Sequence, residues 1–378
     1  MRKGTSVPDV VGSLYVHVPF CTVRCDYCDF ASEPVAGHLR AGRVATYFQR
    51  LRQEIQSAEH VLAQPLETVY VGGGTPTAVP PALLNDLLEA FGVFIGPETE
   101  FTVEANPETL VESTLDAFRE RRVTRLSLGV QSFSPEALRS LGRRVSPGAA
   151  DRAVELLRRS AWHEWSIDLV FGIPGQDLTA FEADVAEAVA VGAPHISVYD
   201  LSYTADYARC LERRLGPAAR GEAEALAEEH YPRVSEILTG AGYHRYEVSS
   251  YCRPGHESRH NQAYWRGADY LGVGASAVST VGLRRWANPK GVAAYLACEP
   301  PEEERLTPAI KRYERVMLGL RTAAGVPWSL ADEAVDHEAV ERLIGLGLLE
   351  KRCATLLSSP RGLDLGNAVL AAVLRSPE

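Results

Sequence analysis

The feature that most narrows the fold of this chain is a sixfold alternation of short apolar runs with amphipathic stretches. The apolar runs cover residues 13–18, 68–71, 100–103, 125–129, 166–171 and 195–199. Between and after them lie helix-like stretches at 43–62, 81–91, 113–122, 134–141, 146–160 and 179–191. Ser134-Pro135 and Ser146-Pro147 each set a capping hydroxyl before a first-turn proline. Six β–α units in succession predict a parallel sheet with helices outside it. Residues that carry chemistry gather where the apolar runs end. Three cysteines follow the first run, and Gly72-Gly73-Gly74-Thr75-Pro76 follows the second. Glu104-Ala105-Asn106-Pro107 ends the third, Gln131 follows the fourth, Asp168 lies in the fifth and Ser202 follows the sixth. Active sites of βα barrels lie on that face. The G-x-G-x-x-G fingerprint of a dinucleotide-binding sheet is absent after the first run.

The expected fold is therefore α/β. It comprises a six-stranded partial (β/α) barrel over residues 1–205, an extension over 206–290, a linker at 291–308 and a small C-terminal winged-helix-like domain over 309–378. That last unit is read from helices followed by a short hairpin. Within the extension, a helix is expected at 222–238 and a further strand at 243–249. The 378 residues, 46% of them hydrophobic, are enough for one large core and a smaller appended one.

Cys21, Cys25 and Cys28 form a C-x3-C-x2-C run. Three thiolates this close can ligate three corners of an iron–sulfur cube, whereas a full protein set is four. With no fourth cysteine nearby, one iron keeps an open position for a small molecule. Zinc, with His17 as fourth ligand, is the alternative, although zinc ligands usually come as two spaced pairs. The chain has seven cysteines, an odd number. Cys210, Cys252, Cys298 and Cys353 are scattered and read as small apolar residues rather than disulfide partners. A net charge of −10 disfavours bulk nucleic-acid binding. No signal-peptide core or membrane-length apolar run is present, and reduced thiols fit the cytoplasm.

The segment Tyr15-Val16-His17-Val18-Pro19-Phe20-Cys21, continuing through Cys25, Tyr27, Cys28, Asp29 and Phe30, resembles the radical S-adenosylmethionine (SAM) enzymes. Within them it resembles the oxygen-independent coproporphyrinogen III oxidase family. Further matching segments are Glu104-Ala105-Asn106-Pro107, Gly129-Val130-Gln131-Ser132-Phe133, Gly142-Arg143 and Asp168-Leu169-Val170-Phe171-Gly172-Ile173-Pro174-Gly175-Gln176. The resemblance implies a [4Fe–4S] cluster on the three cysteines, with SAM chelating the open iron. It implies that the Gly73, Gly74 and Thr75 turn meets the SAM amine. Glu104, Gln131, Arg143 and Asp168 would hold its ribose and amino-acid end. Tyr15 would pack beside the adenosine and Tyr27 against the adenine. In such enzymes the reduced cluster passes one electron to SAM, and the 5′-deoxyadenosyl radical released abstracts hydrogen from a substrate. Read on their own, the glycines are equally a tight βα turn. Asp168 alone is a carboxylate that needs either a polar ligand or neighbouring backbone to offset its burial.

Phe30 stands where the classical oxidases carry a further cysteine. His260-Asn261-Gln262-Ala263-Tyr264-Trp265 is similar to a run of the haem-chaperone branch. That similarity implies haem as cargo, with His260 on its iron side. Imidazole is a usual haem ligand, and Tyr and Trp can flank a flat macrocycle. Without the resemblance the run is a loop whose His and Asn cap backbone. Val278 stands where the family carries a histidine, and residues 203–209 lack the branch's acidic-Gly-Thr pattern. The partners implied are haem or porphyrin, haem-acceptor proteins and an electron donor such as flavodoxin or ferredoxin. Coproporphyrinogen III oxidation, radical methylation and a non-catalytic cluster sensor are the competing functions.

Overall fold

The computed structural model describes residues 10–376 apart from 144, 217 and 218. Six parallel strands follow one another across the sheet in chain order: β1 (Ser13–Val18), β2 (Thr68–Gly73), β3 (Glu100–Ala105), β4 (Arg125–Gln131), β5 (Trp165–Phe171) and β6 (His195–Asp200). A doubly wound sheet reverses its order at a switch point, and this one does not. With right-handed crossovers, an unreversed order sends each connecting helix to the same face. These helices include α1 (Arg43–Ser57), α2 (Pro81–Glu89), α3 (Glu112–Glu120), α4 (Ala149–Arg159) and α5 (Leu178–Ala190). Side chains alternate between the two faces of each strand. Val16, Val71, Val103, Leu128, Leu169 and Val198 join the helices in the main core. Tyr15, Tyr70, Thr102, Glu104, Ser127 and Asp168 fall on the opposite, inner face, as the pairings Tyr15–Tyr70, Tyr70–Thr102, Glu104–Ser127 and Gly129–Asp168 require.

The structure corrects several expectations. The six expected parallel strands stand as an α/β partial barrel and are joined by a seventh. After β7 (His244–Arg245) and β8 (Ser250–Cys252), β9 (Tyr270–Val273) pairs in parallel with β1 on the side away from β2. The single strand expected at 243–249 is instead the antiparallel hairpin β7–β8, with β8 lying against β6. The stretch 291–308, expected as a linker, carries a helix at Val292–Leu296 and a strand. Its acidic run pairs with arginines: β10 (Val278–Val281), β11 (Arg284–Ala287) and β12 (Glu302–Arg305) form a meander, and Arg284 and Glu303 are joined at 2.6 Å. Among the described residues the hydrogen-bonded sheet thus runs through twelve strands, with edges at β12 and β7 that do not meet. Ser134 caps its helix, with its hydroxyl accepting from the Ala137 amide, but Ser146 does not. The helix after it starts from Gly148, whose positive φ of 69° makes the turn. The helix expected at 222–238 spans Ala219–Gly240.

Beyond residue 308, a second buried cluster includes Val316, Leu320, Val340, Leu343, Leu356 and Leu370. It is built by helices and an antiparallel sheet of β13 (Val326–Pro327), β15 (Thr355–Ser358) and β14 (Leu349–Arg352). Of the scattered cysteines, Cys252 is buried but Cys298 and Cys353 are exposed rather than core residues. Among the described residues no helix is long and apolar enough to cross a membrane.

Candidate functional site

Two sets of residues share the inner face of the sheet. The first lies at the C-terminal ends of the strands. Cys21, Cys25 and Cys28 stand half-buried in the loop after β1. Burial pushes the Cys25 thiol up to about 11 and raises Cys28. Any metal taken here must displace those protons. The Thr75 hydroxyl points at Cys21 Sγ, 3.6 Å away, and accepts a bond from Asn106 Nδ2 at 2.9 Å. Amides of Gly74 and Thr75 donate to the carbonyls of Val18 and Phe20. The glycine turn is therefore sewn to the start of the cysteine loop. It has to be glycine: Gly73 has φ +107°, and a Cβ there would lie 2.3 Å from the His17 ring.

Among the described residues the three thiols are not gathered within 4.8 Å of one another, as ligands of one ion must be. A zinc ion with Zn–S bonds of about 2.3 Å would bring its sulfurs to roughly 3.8 Å. His17 is also unavailable. Its Nε2 donates to the Ala31 carbonyl at 2.8 Å, so its Nδ1 must accept from the Tyr15 hydroxyl at 3.0 Å. Three thiols with no fourth protein ligand free beside them suit a multinuclear cluster with three thiolate corners better than a four-coordinate zinc site.

Beside the loop, the Glu104 carboxylate accepts bonds from Tyr70 Oη (2.8 Å) and the Gly73 amide (2.9 Å). Burial, with the Asp168 charge adding, raises its pKa to about 7. Asp168 Oδ2 accepts from Ser127 at 2.6 Å and Ser197 also stands against the carboxylate, while its buried Oδ1 has no hydrogen-bond partner among the described residues. A buried orphan carboxylate oxygen is costly. A ligand hydroxyl or amine on this face would satisfy it, which is how the site fits SAM. Gln131 ends β4 with φ +70°, a conformation rare outside glycine. Arg143 Nη1 donates to the Gly129 carbonyl at 2.8 Å, and Nη2 lies 3.7 Å from Glu108. Its charge reaches Cys25 and Tyr27, tying the cysteine loop to the end of β4. Tyr27 packs against a small apolar group that includes Leu141, Val170 and Ile173.

The second set lies toward the N-terminal ends of β1–β3. His260 is not in a loop but in α6 (Arg259–Trp265). The Ser258 hydroxyl caps this helix at the Asn261 amide, and the Glu100 carboxylate takes the Arg259 and His260 amides, each at 2.9 Å. His260 stacks on Tyr70 with ring centroids 5.0 Å apart, and its Nδ1 lies 2.8 Å from Thr68 Oγ1. Thr68 donates its single proton to Ser13 Oγ at 3.0 Å, so His260 Nδ1 must supply the proton of its own bond. That fixes the tautomer and leaves the Nε2 lone pair for a ligand. Burial lowers the imidazole pKa to about 4, so the ring is neutral at pH 7.

A cavity of about 850 Å³ opens at the second set and reaches Asp29, Phe30 and Ala31 just past the cysteine loop. It runs from Phe30 past Tyr15 and Tyr70 to His260, Tyr264 and Trp265, and Val278 lines it. Thr68, Glu100 and Tyr70 were not singled out from sequence. The period-two face they share with Tyr15 and Glu104 is the signal that finds Tyr70, whereas the approach of α6 to Thr68 spans 192 positions and leaves no local signal.

Residues 15–188 match the Radical SAM superfamily. The chain is 35% identical over 331 residues to the heme chaperone HemW of Synechocystis sp., covering 83% of this chain and 79% of that protein. It is 32% identical over 375 residues to the heme chaperone HemW of Lactococcus lactis, covering 96% and 97%. Among solved structures it is similar to the coproporphyrinogen III oxidase HemN of Escherichia coli, described as a radical SAM enzyme. The TM-score is 0.79 at 21% identity, over 98% of this chain and 91% of that one, a likeness of fold.

Proposed function

The chain belongs to the radical SAM superfamily and to its HemW haem-chaperone family, and on that premise we propose that it binds haem as cargo and hands it to haem-requiring proteins. The observation that carries this reading is the tautomer of His260, whose Nε2 lone pair is left for a ligand and whose ring lines the cavity. Metal-ligating imidazoles are characteristically held this way by a partner on the other nitrogen. Tyr264 and Trp265 stand beside it with ring centroids 5.9 Å apart, and the cavity lies within the usual range of ligand pockets, about 300–1,000 Å³. Its rim carries Arg285, Lys311 and Arg315. The first two are paired with Glu314 and Asp269, while Arg315 meets no carboxylate among the described residues and suits a propionate.

Cys21, Cys25 and Cys28 are the cluster ligands in this reading. Gly73, Gly74, Glu104, Gln131, Arg143 and Asp168 form the SAM face, with Tyr15 and Tyr27 flanking it. The cluster supplies one-electron reduction of bound SAM. Thr75 orients the Cys21 thiolate, Arg143 holds the loop to β4, and Asp168 would offer Oδ1 as an acceptor to a donor group of bound SAM. A flavodoxin- or ferredoxin-type donor in the cytoplasm completes the assignment. The deciding experiment is a haem titration of anaerobically reconstituted protein followed by Soret absorbance, run beside product analysis with coproporphyrinogen III. Saturable haem binding that His260→Ala weakens supports the chaperone. Protoporphyrinogen IX formed without saturable haem binding replaces it with the oxidase.

A further inference from the structure

We propose that His244, Cys252 and Glu257 form a second metal site, separate from the cysteine loop, that takes a zinc-class divalent ion with solvent as its fourth ligand. His244 and Cys252 are direct partners across the β7–β8 hairpin. Antiparallel partners project to the same face, so the imidazole and thiol meet by register, with His244 Nε2 3.7 Å from Cys252 Sγ.

Glu257 arrives through a fixed turn. In Arg253-Pro254-Gly255-His256 the His256 amide bonds to the Arg253 carbonyl at 3.1 Å, and Gly255 has φ +88°. Proline second and a positive-φ glycine third define a type II turn. It folds the chain back so that Glu257 Oε1 lies 2.8 Å from His244 Nε2, and all three donor atoms fall within 4.8 Å of one another. Tetrahedral zinc, with bonds of about 2.0–2.3 Å, separates nitrogen and sulfur ligands by roughly 3.5 Å. The observed N–S separation already matches. Only the His–Glu pair has to open, by about half an ångström.

The chemistry and the surroundings agree with a cation. One thiolate and one carboxylate balance a divalent charge, and the nearby Arg125 already has Glu164 3.7 Å away. The sulfur belongs to a fully buried residue, while the side chains of His244 and Glu257 keep 43% and 26% of their exposure, which leaves a solvent position for the fourth ligand. Sulfur, nitrogen and oxygen together select zinc-like ions over magnesium or calcium. Glu257 directly precedes Ser258, the cap of the helix that carries His260. A metal here therefore pins the root of that helix to the sheet edge. The site does not depend on whether His260 meets haem.

The test uses the full chain with Cys21, Cys25 and Cys28 changed to Ala, so that no cluster thiols compete. It is titrated with Co(II) as a visible stand-in for zinc. The expected result is one equivalent bound with thiolate-to-cobalt charge transfer and tetrahedral visible bands, displaced by zinc. C252S should abolish the charge-transfer band, and E257Q, which keeps the side chain's shape but removes its charge, should weaken cobalt binding at least tenfold while circular dichroism matches that of the parent chain. A charge-transfer band that survives C252S, cobalt binding indifferent to E257Q, or no stoichiometric binding at all overturns the site and leaves a His–Glu ion pair beside a buried thiol.

Discussion

Thr68→Val is the most direct probe of how the fold prepares His260. Thr68 is 1% exposed and opens β2, and its hydroxyl sits between Ser13 Oγ at 3.0 Å and His260 Nδ1 at 2.8 Å. Valine keeps the shape but can neither donate to Ser13 nor accept from the imidazole. Two hydrogen bonds are lost, each worth about 1 kcal/mol net, so unfolding stability should fall by about 2 kcal/mol. The larger effect is on the ligand. With no acceptor at Nδ1, the ring loses both its tautomer bias and its orientation. Removing such an outer partner typically weakens metal ligation about 10- to 100-fold. The assay is Soret-monitored haem titration of wild type, Thr68→Val and Thr68→Ser, with denaturation curves on the same preparations. Thr68→Ser retains the hydroxyl and should retain most of the affinity. Wild-type affinity in Thr68→Val, or an equal loss in Thr68→Ser, would refute the tautomer argument.

Asp168→Asn should cost little stability, because burial already disfavours its charge, yet it should weaken the SAM-induced change in the cluster EPR signal while iron content stays intact. Glu104, raised to about 7, is shared between its protonated and ionised forms near neutral pH. Its stabilising contribution is complete below about pH 4.5 and is lost as pH rises through 7, and a ligand that needs the carboxylate should bind more tightly as pH climbs through that value. Glu104→Gln should flatten the pH profile of SAM affinity measured by calorimetry. His17, His195 and His260 are all lowered by burial. Their contribution is complete above about pH 6.5 and is lost as pH falls. For His260, lowered to about 4, protonation removes up to roughly 3 kcal/mol as pH falls from about 6.5 to about 4. Denaturant curves at pH 7 and 5 should show wild type losing more stability than His260→Gln.

The local parts of this protein were legible in its sequence because they obey short-range rules. Strand and helix periodicity, the Ser134 cap, the cysteine spacing and the glycine turn each depend on neighbours within a few positions. The order of six β–α units then constrained how the sheet could wind. Other features rest on contacts that only the folded chain makes. β9 joins the parallel array beside β1, although about 250 residues lie between them in the chain. The acidic run at 302–304 reads as linker until Arg284 and Arg285 of β11 pair with it. The His260 run is a helix because Glu100, 160 positions earlier, accepts its first amides. The sequence alone thus determined the parallel βα architecture and the three-thiol loop, since both follow from periodicity and spacing. Only the tertiary structure decided that His17 is held by Ala31 and Tyr15 rather than left to complete a metal site, that Asp168 keeps an unmet oxygen, and that His260 holds its Nε2 lone pair for a ligand. Those outcomes depend on register and on hydrogen bonds between distant segments, which no local pattern encodes.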